Sequence, residues 1–299
     1  VDVISKGRAE VGFVRSVPYE AAAANILPYR GSDRLWEAHD LILKAWTTHD
    51  GPFNFEGEWY HHRQVNIWPR PYQQPHPPVW ITTGSAGSTL PVAQHKHVAA
   101  VFLAGYSKVR PIFDAYRKNY LKLHGKHAPL DRLAYCGLIY VGDDEKAAEQ
   151  GANKMMWYMK ANKVANHWKN PPGYHAPAVS ANVLRGAHVS GSGAAYSTDL
   201  NEHMRRGNVF AGTPDQVFEQ IKAFWEYSGG FGHMLMMGQA GHMTEQETLR
   251  SMKLYNDEVY PRLKELAQTW DPEEIMEKRA SMPDRDHAEI NELSVDFVR

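Results

Sequence analysis

Between Pro77 and Thr89 the chain reads Pro-Pro-Val-Trp-Ile-Thr-Thr-Gly-Ser-Ala-Gly-Ser-Thr. The run from Val79 to Ile81 is apolar and β-type. Proline precedes it and small polar residues follow. Val92 and Ala93 then open a helical stretch, so a strand, a tight turn and a helix start lie close together. Thr82, Thr83, Ser85, Ser88 and Thr89 bring hydroxyls to the turn, and Gly84 and Gly87 free its backbone. Hydroxyls, glycines and backbone N–H groups at a helix start can cradle a phosphate. The same residues suit an ordinary βα turn closed by a Ser/Thr cap, and local chemistry leaves both readings open. The chain has 16 histidines but no His-Glu-x-x-His or Cys-x-x-Cys pattern. His95 with His97, and His61 with His62, read as surface or capping groups, and no metal site is expected.

A chain of 299 residues with net charge −1 suits one large domain or two small ones. Its 43% hydrophobic and 22% charged residues are those of a globular protein. No basic excess points to nucleic acid. No apolar run approaches the ~20 residues that span a bilayer, so no membrane partner is expected. The start, Val1 to Arg8, is too polar for a signal peptide. The single cysteine, Cys136, lies in an apolar run and cannot form an internal disulfide. That usage predicts a reducing, cytoplasmic setting.

The elements needed to hold such a turn alternate along the chain. Strands are expected at 9–14, 79–83, 98–103, 133–141 and 233–237. Helices are expected at 33–48, from the turn to about His95, at 108–124, from Asp144 to about His167, at 214–227 and at 244–260. Ser32 reads as the N-cap of the first helix, and Leu35, Trp36, Leu41, Ile42, Ala45 and Trp46 as its apolar set. Pro214 opens the helix after Thr213. A small hairpin is expected around Glu56-Gly57-Glu58. Repeated βα units argue for a parallel sheet with helices outside, and their number favours a (β/α) barrel. The stretch 168–208, with Pro171-Pro172-Gly173 and Ser190 to Gly193, breaks the rhythm and reads as a mobile insertion or lid. Residues 267–299 read as a charged C-terminal arm, following a domain over 1–266.

Four blocks carry a resemblance. The first runs from Asp2 to Arg15, Asp-Val-Ile-Ser-Lys-Gly-Arg-Ala-Glu-Val-Gly-Phe-Val-Arg. The second runs from Trp68 to Trp80, and the third is the Gly84-Ser85 turn. The fourth is Gly212-Thr213-Pro214-Asp215-Gln216-Val217, with the late runs Ser251 to Tyr255 and Glu258 to Pro261. In this order they resemble the bacterial luciferase-like flavin-dependent monooxygenases. The resemblance implies an α/β fold, the TIM (β/α)8 barrel of that family with an insertion before the last strand. Against that pattern Ser5-Lys6-Gly7-Arg8 precedes the fourth strand, so the first three βα units are expected to be missing from this sequence.

The resemblance also implies chemistry. The expected cofactor is reduced FMN, supplied by a separate flavin reductase. Its reaction with O2 gives a C4a-peroxyflavin that oxidises a small organic substrate. The alternatives are an F420-dependent oxidoreductase of the same fold and a non-catalytic flavin-binding subunit. Arg15 aligns with the family's phosphate-binding arginine, although Arg-Gly is replaced here by Arg15-Ser16. Gly84, Ser85, Ser88 and Thr89 match the phosphate-holding turn, with Gly84 where luciferases have glutamate. Arg34, offset by one position, is a candidate second phosphate charge. The catalytic residues belong to the missing strands and are not named. A homo-oligomer is expected.

Overall fold

The computed structural model describes residues 1–26, 30–161, 199–240 and 242–282. They fall into two compact units: Val1–Thr82, and the described residues from Thr83 onward.

The first unit opens with α1 (Asp2–Ser5), β1 (Val11–Phe13), α2 (Pro18–Ala23) and α3 (Gly31–Thr47). It continues with β2 (Phe53–Glu56), β3 (His61–Val65) and β4 (Val79–Thr82). β1 and β4 pair in parallel, Val11 opposite Val79 and Phe13 opposite Ile81. β2 and β3 form the expected hairpin, with an irregular register between Phe53 and Phe55. Asp2 ties the amino-terminal turn to the unit: its carboxylate accepts from the Gln73 amide N–H at 3.0 Å and from Gln73 Nε2 at 2.9 Å. The buried residues of α3 are His39 and Ala45. The ring of His39 meets Phe13 and Trp36 edge-on, at 5.7 and 5.1 Å between centroids.

The second unit contains α4 (Thr89–Gln94), β5 (Val98–Phe102), α5 (Tyr106–His124), β6 (Leu133–Val141), α6 (Glu145–Met155) and α7 (Trp157–Ala161). After the gap come α8 (Leu200–Arg205), β7 (Val209–Gly212), α9 (Pro214–Ser228), β8 (His233–Met237) and α10 (Glu245–Leu254). A π-helical turn at Tyr255–Val259 leads to α11 (Tyr260–Gln268), and α12 (Pro272–Ala280) follows. The long strand β6 is central. It pairs in parallel with β5, with β8 and, toward its carboxyl end, with β7. Its continuous apolar run is buried along almost its whole length, as a strand covered on both faces requires. Tyr135 is fully buried among Phe210, Phe224 and Phe231. A second cluster on the carboxyl half of β6 is rich in methionine: Met155, Met156, Met159, Met204 and Met243.

Several expectations shift. Ser32 is the second residue of α3 and does not cap it. The helix begins at Gly31, its N-cap position is Arg30, and the Arg30 side chain makes no capping hydrogen bond. The helix expected from Asp144 breaks at Met156, which is fully buried with Met155 in the methionine cluster. Of the expected insertion, 168–198 lies outside the described residues. Its last part contains α8, which is capped by Asp199, whose carboxylate accepts from the Asn201 amide, and whose Leu200, His203 and Met204 are buried. The expected helix at 244–260 continues to Gln268 through the π-turn, which adds a residue between inward-facing positions and buries Val259. The expected arm contains α12, whose Ile275 and Arg279 are buried; Arg279 pairs with Asp114 of α5. Among the described residues no helix is long and apolar enough to cross a membrane.

Candidate functional site

In the first unit, cations gather at the start of α3. Arg15 follows β1, and its methylenes lie over Gly31. A Cβ there would stand 3.3 Å from Arg15 Cδ, so glycine lets the arginine stem cross the helix's first turn. Arg30, Arg34 and Glu37 are spaced i, i+4 and i+7 and share one face of α3. That face meets the loop between β2 and β3. Arg30 bonds Asp33 at 2.7 Å and Glu58 at 3.0 Å, and its guanidinium lies 4.8 Å from the Trp59 ring centroid. Two carboxylates therefore neutralise it.

Arg34 differs. It is half-buried and lies over the Tyr60 ring, 5.3 Å from the centroid, and among the described residues it makes no ion pair. Glu37, one turn further along, would pair with it by helix spacing. Instead its carboxylate accepts three backbone N–H bonds, from Glu58 at 2.9 Å, Trp59 at 2.9 Å and Tyr60 at 2.8 Å. Partial burial pushes the Glu37 carboxyl up, but these three donors outweigh it and hold the carboxyl below the usual glutamate range.

In the second unit Gly84, Ser85, Ser88 and Thr89 come together in one turn, a 3-10 segment at Ala86–Ser88 running into α4. The Ser88 hydroxyl donates to the Ser85 carbonyl at 2.7 Å, and the Ser85 hydroxyl lies 3.3 Å from Ser88 Oγ. Residues 84–88 are exposed. Neither glycine has a positive φ, and a Cβ on either would meet no atom within 4 Å. The glycines thus leave the outer side of the turn bare. Thr89 is fully buried. It donates to the Ala86 carbonyl at 2.7 Å and accepts from Asn119 Nδ2 at 3.0 Å, so its hydroxyl hydrogen is committed to closing the turn. Ser85 and Ser88 face solvent; Thr89 is the floor beneath them.

Sequence reasoning did not find Glu37, Trp59 or Tyr60 as site residues. The i, i+4, i+7 spacing of Arg30, Arg34 and Glu37 was visible. The partners of Glu37 are backbone amides and leave no trace in residue types. Cys136 is half-buried in β6, and burial pushes its thiol up to about 11, which leaves it protonated and inert at neutral pH.

Over 233 residues the chain is 25% identical to the oxygenase component of a flavin-dependent trigonelline monooxygenase from Acinetobacter baylyi, covering 75% of this chain and 59% of that one. The chain spans between a third and three fifths of the curated relatives it matches, 34% of one and 59% of the other. Among solved structures, the monooxygenase RslO1 from Streptomyces bottropensis superposes with a TM-score of 0.66 at 23% identity, covering 88% of this chain and 71% of that one. The oxygenating constituent of 3,6-diketocamphane monooxygenase from Pseudomonas putida, in complex with FMN, gives 0.64 at 18%, covering 87% and 72%. At such identities the likeness is one of fold, and F420-dependent enzymes share it. The family model described as luciferase-like monooxygenase matches residues 1–231, most of the chain, so this chain belongs to the luciferase-like monooxygenase family.

Proposed function

We propose that the chain acts as a flavin-dependent monooxygenase, taking reduced FMN from a separate reductase and using O2 to oxidise a small organic molecule. The observation that carries the reading is the start of α3: a 17-residue helix whose N-cap residue, Arg30, makes no capping hydrogen bond, the Arg15 stem across its first turn, and Arg34 without an acidic partner among the described residues. A helix start with two guanidinium groups suits a phosphate dianion. Arg15 and Arg34 would supply charge. Gly84, Ser85 and Ser88 would supply N–H and O–H donors from a turn whose bare outer side fits a phosphate, while Thr89 keeps that turn closed. When bound, the reduced flavin supplies the electrons and the activation of oxygen. The residues described here bind and orient it. The relative named as an oxygenase component and the neighbour crystallised with FMN support this reading. The F420-dependent neighbours favour a second one, hydride transfer with a deazaflavin on the same phosphate-binding residues.

The test is an anaerobic titration of reduced FMN, with riboflavin and F420 as comparisons, into wild type and Arg15→Ala. Wild type should hold FMN more tightly than riboflavin. Losing a charge-assisted phosphate contact of about 1.5–3 kcal/mol should weaken FMN roughly ten- to a hundredfold in Arg15→Ala and leave riboflavin unchanged. Equal FMN affinity in the two proteins would refute the assignment. Binding of F420 in preference to FMN would establish the second reading.

A further inference from the structure

The loop between β2 and β3 is built as an anion nest, and the anion it holds belongs to the chain itself. Three successive amides, of Glu58, Trp59 and Tyr60, converge on the Glu37 carboxylate. Gly57 stands so close to that carboxylate that no Cβ would fit. The loop is therefore shaped around Glu37. Two consequences follow for the cation one turn away. Both Glu37 oxygens are engaged by the loop, so the natural i, i+3 partner of Arg34 is withdrawn from it. The same bonds fix the backbone of Tyr60, whose ring lies under the Arg34 guanidinium. A ring face is an electrostatic seat for a cation that leaves the guanidinium N–H edge available. Arg30 shows the other outcome on the same face, since two carboxylates occupy it.

We propose that Glu37 and Tyr60 are positioning residues which together hold Arg34 un-neutralised and oriented for an anionic phosphate group. This rests on the flavin-phosphate reading above. It goes beyond it by naming what makes Arg34 an anion receptor instead of one half of a surface ion pair. Glu37 acts by holding the loop and by not pairing with Arg34. Tyr60 acts through its ring, so its hydroxyl is dispensable.

A double-mutant cycle on the 299-residue chain tests this, with FMN and riboflavin titrated separately. Tyr60→Leu should weaken FMN by about three- to tenfold, the loss expected for a half-buried cation–π seat. Riboflavin should bind as before. Tyr60→Phe keeps the ring and should restore wild-type affinity. Arg34→Ala should weaken FMN at least as much as Tyr60→Leu, and the double variant Arg34→Ala/Tyr60→Leu should bind no more weakly than Arg34→Ala alone. Additive losses in the double variant, or Tyr60→Leu with unchanged FMN affinity beside a weakened Arg34→Ala, would overturn the positioning role and leave the phosphate reading standing. FMN affinity unmoved by Arg15→Ala and Arg34→Ala would overturn the phosphate reading, and the positioning role with it. Circular dichroism on each variant separates a folding failure from these outcomes, and if Tyr60→Leu does not fold, Tyr60→Met, which also removes the ring, takes its place in the cycle with the same expected and overturning results.

Discussion

Replacing Glu37 by alanine should release the loop between β2 and β3 from α3 while the rest of the chain stays folded. The magnitude follows from the three N–H···carboxylate bonds of 2.8–2.9 Å. A hydrogen bond to a charged group contributes about 1.5–3 kcal/mol when its partner is left unsatisfied. The three are not additive, because they share one carboxylate and stand or fall with one loop. Glu58 is exposed and Trp59 and Tyr60 are half-buried, so water replaces part of what is lost. About 2–4 kcal/mol for the set is the consistent figure. Each 1.4 kcal/mol is tenfold, so the amides of residues 58–60 should exchange hydrogen roughly 30- to 1,000-fold faster in Glu37→Ala. Mass spectrometry of peptides covering 53–65 reads this directly, with Val98–Phe102 of the second unit as an internal control. The effect has a sign in pH. Because the folded carboxyl sits below its ordinary range, its contribution is full above that range and is lost as pH falls through the depressed value. Wild-type protection should therefore converge on that of Glu37→Ala in acid. Unchanged exchange at 58–60 would refute the clamp. Equal acceleration in the control peptide would show instead that Glu37 supports the whole fold.

Two further outcomes follow from the second unit. Tyr135→Phe removes a buried hydroxyl that donates to the Gly207 carbonyl at 2.7 Å and accepts from the Gly105 amide at 3.0 Å. With both partners left dry, urea unfolding should show a loss of about 2–4 kcal/mol, and a loss under about 0.5 kcal/mol would mean water enters the gap. The Glu247 carboxyl is pushed down to about 2 by the hydrogen bond from Lys154, with the Thr244 amide and hydroxyl helping. Wild type should accordingly melt above Glu247→Gln at neutral pH, and the gap should close as the pH falls from the ordinary glutamate range toward 2. A gap that is constant across that range would mean the carboxylate charge contributes nothing.

How much of this could be read from residue types differs by element, and the reason is physical in each case. β6 was legible because a long apolar run with flanking turn residues has few alternatives to a buried strand. α9 was legible because Thr213, Pro214 and Gln216 form a capping box with proline in the first turn. α8 was missed because Asn201 and His203, polar by type, occupy buried positions, and the helical period of the apolar residues is thereby hidden. Its start did carry a signal, Asp199 with Glu202 three residues on, the pattern of an acidic cap followed by a first-turn glutamate. The hydroxyl-rich turn was found because its chemistry lies in side chains. Its division of labour, with Thr89 closing the turn and Ser85 and Ser88 facing out, depends on burial and on Asn119, which stands far along the chain.

The arginines show where residue types fall short. Arg15, Arg30 and Arg34 are equal as letters, and a helix-surface role and a phosphate role remained equally open for Arg34. What separates it from Arg30 is the fate of nearby carboxylates. Asp33 and Glu58 close on Arg30, whereas Glu37 is bound by the loop amides. A buried or half-buried cation without a counter-ion is costly, because its desolvation goes uncompensated. The Tyr60 ring offsets part of that cost and an incoming phosphate would offset the rest. The same helix face thus holds one cation that is electrostatically finished and one that gains by binding an anion. Salt should report that difference. Raising the ionic strength should weaken FMN binding in wild type and do so less in Arg34→Ala, because one phosphate charge contact fewer remains to be screened. Equal salt slopes in the two proteins would show that Arg34 carries no phosphate charge, whatever the geometry around it.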